Sequence, residues 1–178
     1  IYPNYSEPKF LSILIFEFNS WLGRNFFKKY SRFNKPKNTA LFLVDIGVGA
    51  NYTDGWVHVD FYRNRIRNIF KPRVKVRRPE VETDLRYPLN CSTNVVDGVY
   101  SGHTLEHLYP NHAYIMLKEI VRILKRGSWL RINVPDLKRA VEFYNGKVDI
   151  PEYRYKGEAI AHLTQNWAHH SVWDFELL

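Results

Sequence analysis

The chain has one cysteine, Cys91, in 178 residues, which excludes an intrachain disulfide framework and a metal site built from several thiolates. Cys91 itself reads as a small buried hydrophobe. No apolar run approaches the roughly 20 residues a membrane-spanning helix needs, and the first residues lack the charged-then-apolar layout of a signal peptide. A soluble, cytoplasmic protein is the expectation. The one methionine is Met116 and numbering starts at Ile1, so the true termini are left open. There is no internal repeat and no low-complexity segment.

Acid is scarce in one place. Between Arg63 and Arg78 come Arg63, Arg65, Arg67, Lys71, Arg73, Lys75, Arg77 and Arg78 with no Asp or Glu among them, and the formal net charge is +8. Residues 63–78 therefore suit nucleic acid or an anionic membrane surface, or else form a solvated basic connection. What the chain has in abundance is apolar and aromatic side chains, 45% and 16%, enough for one domain with a full core.

Two parts are expected: an N-terminal amphipathic helix and linker over 1–38, and an α/β domain over 39–178. From about Glu7 to Phe33, the residues Leu11, Leu14, Ile15, Phe18, Trp21, Leu22 and Phe26 recur at helical spacing. This face is expected to pack on the domain or on a second copy in a homodimer, a membrane surface being the other option. Leu41 to Asp45 and Trp56 to Asp60 read as strands, as do Glu80–Asp84, Asp97–Ser101 and Ser128–Val134. Between the last two, Asn111 to Leu124 carries Ala113, Leu117, Ile120, Val121 and Leu124 on one face, with Asn111 as N-cap. Asp136 to Tyr144 reads as a helix, and Ser171-Val-Trp-Asp174 as the start of another. Strand, helix, strand in this order predicts a Rossmann-like, mostly parallel sheet flanked by helices.

In such a sheet ligands bind outside the carboxyl ends of the strands. Asp45 to Asn51, Asp60, Asp84, Ser101 to His107 and Pro135-Asp136 all fall at such ends. Gly47 and Gly49 let backbone approach a ligand closely, and Asp60 at the second strand end suits ribose hydroxyls. A dinucleotide fold fits poorly, because Tyr52 stands where the third glycine belongs and Asp60 follows too soon.

Six ordered motifs carry a family resemblance. Asp45-Ile-Gly-Val-Gly49, Gly55-Trp-Val-His-Val-Asp60, Asp84-Leu-Arg-Tyr-Pro-Leu89, Asp97-Gly-Val-Tyr-Ser-Gly-His-Thr-Leu-Glu-His107, Glu119-Ile-Val-Arg-Ile-Leu-Lys-Arg-Gly127 and Val134-Pro-Asp136 resemble class I S-adenosylmethionine-dependent methyltransferases. The type 11 branch is the nearest pattern, over roughly 41–178. The resemblance implies S-adenosylmethionine as cofactor. It implies that Gly47 and Gly49 pass the methionine part, with Asp45 supporting the loop or meeting the amino group. Asp60 would take the ribose, and Asp84 with the Leu85 backbone the adenine edge. Ser101 and His103 would face the sulfonium and the acceptor.

Two departures go with it: the first crossover is too short for its usual helix, and the pair of strands that would complete a larger sheet is missing from the pattern.

Methyl transfer from a sulfonium asks for in-line positioning and, for a hydroxyl or protonated amine acceptor, a proton acceptor. His103, Glu106 and His107 are the catalytic candidates, with His169 and His170 in a tail that could fold over the site. His103 and His107 are one helical turn apart, but they do not form His-Glu-x-x-His and no third ligand is fixed by the sequence, so no metal is expected. The expected acceptor is a small molecule or glycan, recognised by aromatics such as Tyr144, Tyr153, Tyr155 and Trp167. The contrasting reading is a non-catalytic scaffold of the same fold that holds an anionic partner.

Overall fold

A computed structural model describes residues 10–61, 77–165 and 169–178. The basic segment from Arg63 to Lys75, together with Glu7, Lys9 and Trp167, lies outside the described residues. Five strands, β1 (Leu43–Ile46), β2 (Trp56–Asp60), β3 (Val81–Glu82), β4 (Val96–Gly102) and β5 (Leu124–Asn133), form one sheet in the order β3-β2-β1-β4-β5. Every pairing is parallel. The chain steps outward from β1 to β3, then returns to the other side of β1 for β4 and β5. The direction therefore reverses between β1 and β4, which opens a crevice at their carboxyl ends.

The central strands are apolar on both faces because they are covered on both. Val44, Ile46, Val59, Val96 and Val99 are fully buried. Each such side chain contributes about 1.5–3 kcal/mol on leaving water. Helix α1 (Phe10–Phe26) precedes the sheet, α2 (Pro110–Ile123) joins β4 to β5, and α3 (Leu137–Tyr144) and α4 (Lys156–Gln165) follow. α2 starts on Pro110, whose missing N–H is no loss in a first turn. The N-cap is Tyr109 without a side-chain bond, rather than Asn111. The buried stripe is Ala113, Met116, Ile120 and Ile123, while Val121, expected on that stripe, is 66% exposed.

Several boundaries differ from the sequence expectation. The third strand contracts to two residues, and the fifth extends back to Leu124 because β5 starts directly from the end of α2. Ser171–Asp174 is not a helix start. Trp173 bridges Asp136, and the Ser171 hydroxyl donates to the Leu105 carbonyl (3.0 Å) while accepting from the Trp173 indole (2.8 Å). Residues 47–55 hold no helix, as the short spacing requires.

α1 turns its apolar stripe away from the domain, which leaves a second copy or a membrane surface as the expected partner of that face. Its buried residues are Asn19, Ser20 and Gly23, whereas Leu11, Leu14, Ile15, Phe18, Trp21 and Phe26 are all exposed. Polar bonds to the domain set this orientation. Ser20 donates to Asp84, and Glu17 pairs with both terminal nitrogens of Arg86 at 2.6 and 3.0 Å. Phe16 stacks on Phe61 at 4.3 Å, beside the end of β2.

A second, smaller core joins α3 to α4 through Ala140, Phe143, Ala159 and Leu163. Cys91 is half-buried, and burial is the main reason its thiol is pushed up to about 11, which makes it a poor nucleophile.

Candidate active site

The loop after β1 is held by backbone. Gly47 N–H and Val48 N–H both donate to the Val59 carbonyl, at 2.8 and 3.4 Å, and Gly49 N–H donates to Asp60 Oδ2 at 3.1 Å. Asp60 Oδ1 accepts from Phe61 N–H at 2.6 Å. Gly47 (φ +77°) and Gly49 (φ +57°) occupy the left-handed region that favours glycine. They differ in surroundings. A Cβ on Gly47 would lie 2.0 Å from Thr104 Oγ1, whereas one on Gly49 would meet nothing within 4 Å. Thr104 thus fills the space under the loop, its hydroxyl donating to the Ile46 carbonyl at 3.1 Å, whereas the side over Gly49 is open.

Asp45 is buried in β1 beside His58. Burial is the main force pushing its carboxyl above the ordinary value, with His58 opposing and Asp60 adding. His58, 1% exposed, was not foreseen as part of this region. Its Nε2 accepts from Thr53 N–H (2.9 Å), so Nδ1 carries the proton and donates to Glu80 Oε2 (2.7 Å). Burial raises the Glu80 carboxyl, but the hydrogen bonds from His58 outweigh it and the net displacement is downward. Nothing in the sequence links His58 to Glu80; the parallel pairing of β2 and β3 does.

Asp84, 2% exposed, lies at the end of β3 with both oxygens engaged. Arg86 Nε donates at 3.0 and 3.1 Å and a terminal nitrogen at 2.7 Å, and the Arg86 N–H reaches Oδ1 at 3.0 Å. Burial raises the Asp84 carboxyl, yet the bonds from Arg86 and Ser20 overcome it, holding it below its ordinary value. Leu85 is partly buried against the core.

At the end of β4, Ser101 is fully buried, and its hydroxyl has no hydrogen-bond partner among the described residues. His103 follows with φ +53°, a costly conformation for a residue with a side chain. Its side chain is 70% exposed, and Nδ1 lies 3.0 Å from Oε1 of Glu106, which is almost fully buried. Since a carboxylate accepts, Nδ1 carries the proton and the outer nitrogen is left with its lone pair.

The short 3-10 turn Leu105–His107 carries Glu106 and His107, and the tail closes on it. His170 N–H and Ser171 N–H donate to the Glu106 carbonyl at 2.7 and 3.2 Å. The His107 and His169 rings meet edge to face at 5.0 Å, and the His170 ring stacks on Tyr109 at 4.4 Å. Burial is the main cause holding both His169 and His170 below the ordinary imidazole value. Of the aromatics expected at an acceptor pocket, Tyr144 and Tyr155 are exposed, and Tyr153 bonds His162 at 2.7 Å. An open depression lined by Arg32, Leu89, Cys91, Glu119 and Arg122 among others lies beside α2 and away from these groups. There Glu119 and Arg122 bond the Leu89 backbone, so the depression reads as a joint between α2 and the loop before β4.

A parallel sheet of this order, with a glycine turn after β1, an acid ending β2 and an exposed histidine after β4, defines a Rossmann-like methyltransferase fold whose cofactor crevice lies at the switch between β1 and β4. Residues 44–132, half of the chain, match the family described as the methyltransferase domain. The chain belongs to this family, the type 11 branch of class I S-adenosylmethionine-dependent methyltransferases, and S-adenosylmethionine is its cofactor.

Among solved structures it is similar to a chain named as an S-adenosyl-L-methionine-dependent methyltransferase from Methanococcus maripaludis (19% identity, 74% of this chain and 66% of that one, TM-score 0.39). It is also similar to an S-adenosylmethionine-dependent methyltransferase from Archaeoglobus fulgidus (19% identity, 89% and 74%, TM-score 0.40). A third match is to the Haloferax volcanii complex between the Trm112 methyltransferase activator and a methyltransferase (19% identity, 84% and 68%, TM-score 0.42). Similarities of this size carry over no residue role. No curated protein matches the chain in sequence.

Proposed function

We propose that the chain transfers a methyl group to a hydroxyl or amine of a small-molecule or sugar acceptor, with His103 as proton acceptor and Glu106 as the residue that orients it. The observation that carries this reading is the His103–Glu106 pair: an exposed imidazole in a strained backbone position, bonded through Nδ1 to a buried carboxylate at 3.0 Å, at the mouth of the cofactor crevice. S-adenosylmethionine supplies a methyl group already activated on a sulfonium. The acceptor oxygen or nitrogen forms its bond to that methyl as the carbon–sulfur bond breaks in line, the electron pair stays on sulfur, and the acceptor's proton passes to the free nitrogen of His103.

The cofactor side is assigned from the family resemblance, with the loop geometry in its support. Asp60 takes the ribose hydroxyls, and the Gly47–Gly49 loop passes the methionine part. The Leu85 backbone meets the adenine edge. Asp84, its oxygens engaged by Arg86 and Ser20, holds the turn that carries Leu85. Asp45, buried behind the loop, supports it. His107 and the tail around His169 border the acceptor side. No helix among the described residues is long and apolar enough to cross a membrane.

Calorimetric titration with S-adenosylhomocysteine is the first test, followed by a screen of hydroxyl and amine acceptors with labelled methyl donor. Saturable binding that His103→Ala leaves intact, together with transfer that His103→Ala removes, supports the reading. Absence of binding by the unaltered chain would sink it.

A further inference from the structure

The histidines around Glu106 do more than border a crevice. Glu106, His107 and His169 each bring a ligand atom within 4.8 Å of the other two. Glu106 is 1% exposed and uses its two oxygens differently: Oε1 faces His103 at 3.0 Å, while Oε2 is buried with no hydrogen-bond partner among the described residues. A carboxylate oxygen left enclosed and unpaired is costly, so something is expected to meet it.

His169 Nδ1 lies 3.1 Å from the Leu163 carbonyl. A carbonyl only accepts, so Nδ1 carries the proton and Nε2 keeps its lone pair. A backbone carbonyl that fixes the tautomer of an imidazole in this way is the usual support of a metal-bound histidine. The tail is held in place independently, by the bonds from His170 and Ser171 to the Glu106 carbonyl and from the Ser171 hydroxyl to Leu105.

We propose that Glu106, His107 and His169 bind one first-row divalent cation, whose remaining positions take an oxygen of the methyl acceptor. Two imidazoles and one carboxylate are a borderline donor set that suits Zn2+, Fe2+ or Mn2+ over Ca2+, and three protein ligands leave positions open, as in catalytic sites. The three ligand atoms, which lie within 4.8 Å of one another, would draw together around the cation, each coming to roughly 2.1 Å from it. The cation then satisfies Glu106 Oε2, orients the acceptor oxygen and favours its loss of a proton, while Oε1 still orients His103. This second part rests on the methyl-transfer reading above and narrows the acceptor to a hydroxyl compound; the cation site itself does not depend on it.

The test separates the two. The metal-free chain is titrated calorimetrically with Mn2+ and Zn2+, and separately with S-adenosylhomocysteine. One cation per chain is expected, with affinity lowered about 10-fold or more in His107→Ala, His169→Ala and Glu106→Gln. S-adenosylhomocysteine binding should stay unchanged in His169→Ala, which also reports that this variant folds. As a measurement on the unaltered chain, Mn2+ should broaden the imidazole proton signals of His107 and His169 and leave those of His58 sharp. No cation binding, equal affinity in all three variants, or broadening that spares His107 and His169 overturns the site. Cation binding without S-adenosylhomocysteine binding would leave the site standing and remove the methyl-transfer reading.

Discussion

The two sides of the crevice are built by different means. The side proposed for the cofactor, from Gly47 to Asp60, is one short stretch of chain whose backbone N–H groups bond each other's strands and the Asp60 carboxylate. The side proposed for the acceptor draws its groups from far apart, since Glu106 and His169 meet only where the tail returns to the turn after β4. A backbone-built half tolerates side-chain change wherever no atom crowds the loop. A side-chain-built half depends on each member and on the segment that delivers it.

This contrast is sharpest at Gly47. Gly47→Val should cost about 3 kcal/mol or more, because φ is +77° and the new Cβ would overlap Thr104, and thermal unfolding with S-adenosylhomocysteine titration should show both stability and binding lost. The same change at Gly49, where space is open, should lose only the backbone part; equal losses at both would break the account of Thr104 as the loop's support. Next, His103→Ala should lower the transfer rate about 100-fold or more while leaving cofactor affinity within a factor of two. Asp60→Ala should do the reverse, weakening S-adenosylhomocysteine about 10- to 100-fold.

The smallest effects belong to the brace between α1 and Asp84. Ser20→Ala should cost about 1 kcal/mol in denaturant unfolding, with cofactor affinity lowered only as far as the Leu85 turn loosens. The pH dependence has a definite sign. Asp84 is held below its ordinary value of 3.8, so its charged form stabilises the fold. That contribution is complete well above pH 3.8 and disappears as pH falls through the lower folded value. Asp84→Asn should remove this part of the acid sensitivity; an unchanged acid unfolding profile would show that the carboxylate gains nothing from Arg86.

α1 and α2 show how far periodicity alone reaches. Both carry an apolar stripe at helical spacing, and α2 buries its own stripe because Ala113, Met116 and Ile120 face the sheet. α1 leaves its stripe outside because Glu17 and Ser20 find Arg86 and Asp84, charged and hydroxyl partners that a count of apolar positions does not register. The pattern identified both helices, but the direction α1 faces depended on residues more than 60 positions away. Ser101 makes the same point: it stands two residues before the exposed His103 and is itself fully buried.

By itself the sequence determined the parallel sheet, the glycine turn, the acid at the end of β2, the short first crossover and the histidines after β4. All of these are local: strand patterning, turn chemistry and spacing within one loop fix them without reference to the rest of the chain. Only the tertiary structure decided that Thr104 supports Gly47, that His58 and Glu80 brace the crossover, and that Asp84 is already paired. It also decided that the tail delivers His169 to Glu106 and His107. Glu106 and His107 are neighbours in the sequence, but bringing His169 to them required a fold, because a site that closes between segments is set by where the chain returns and not by how its residues are spaced.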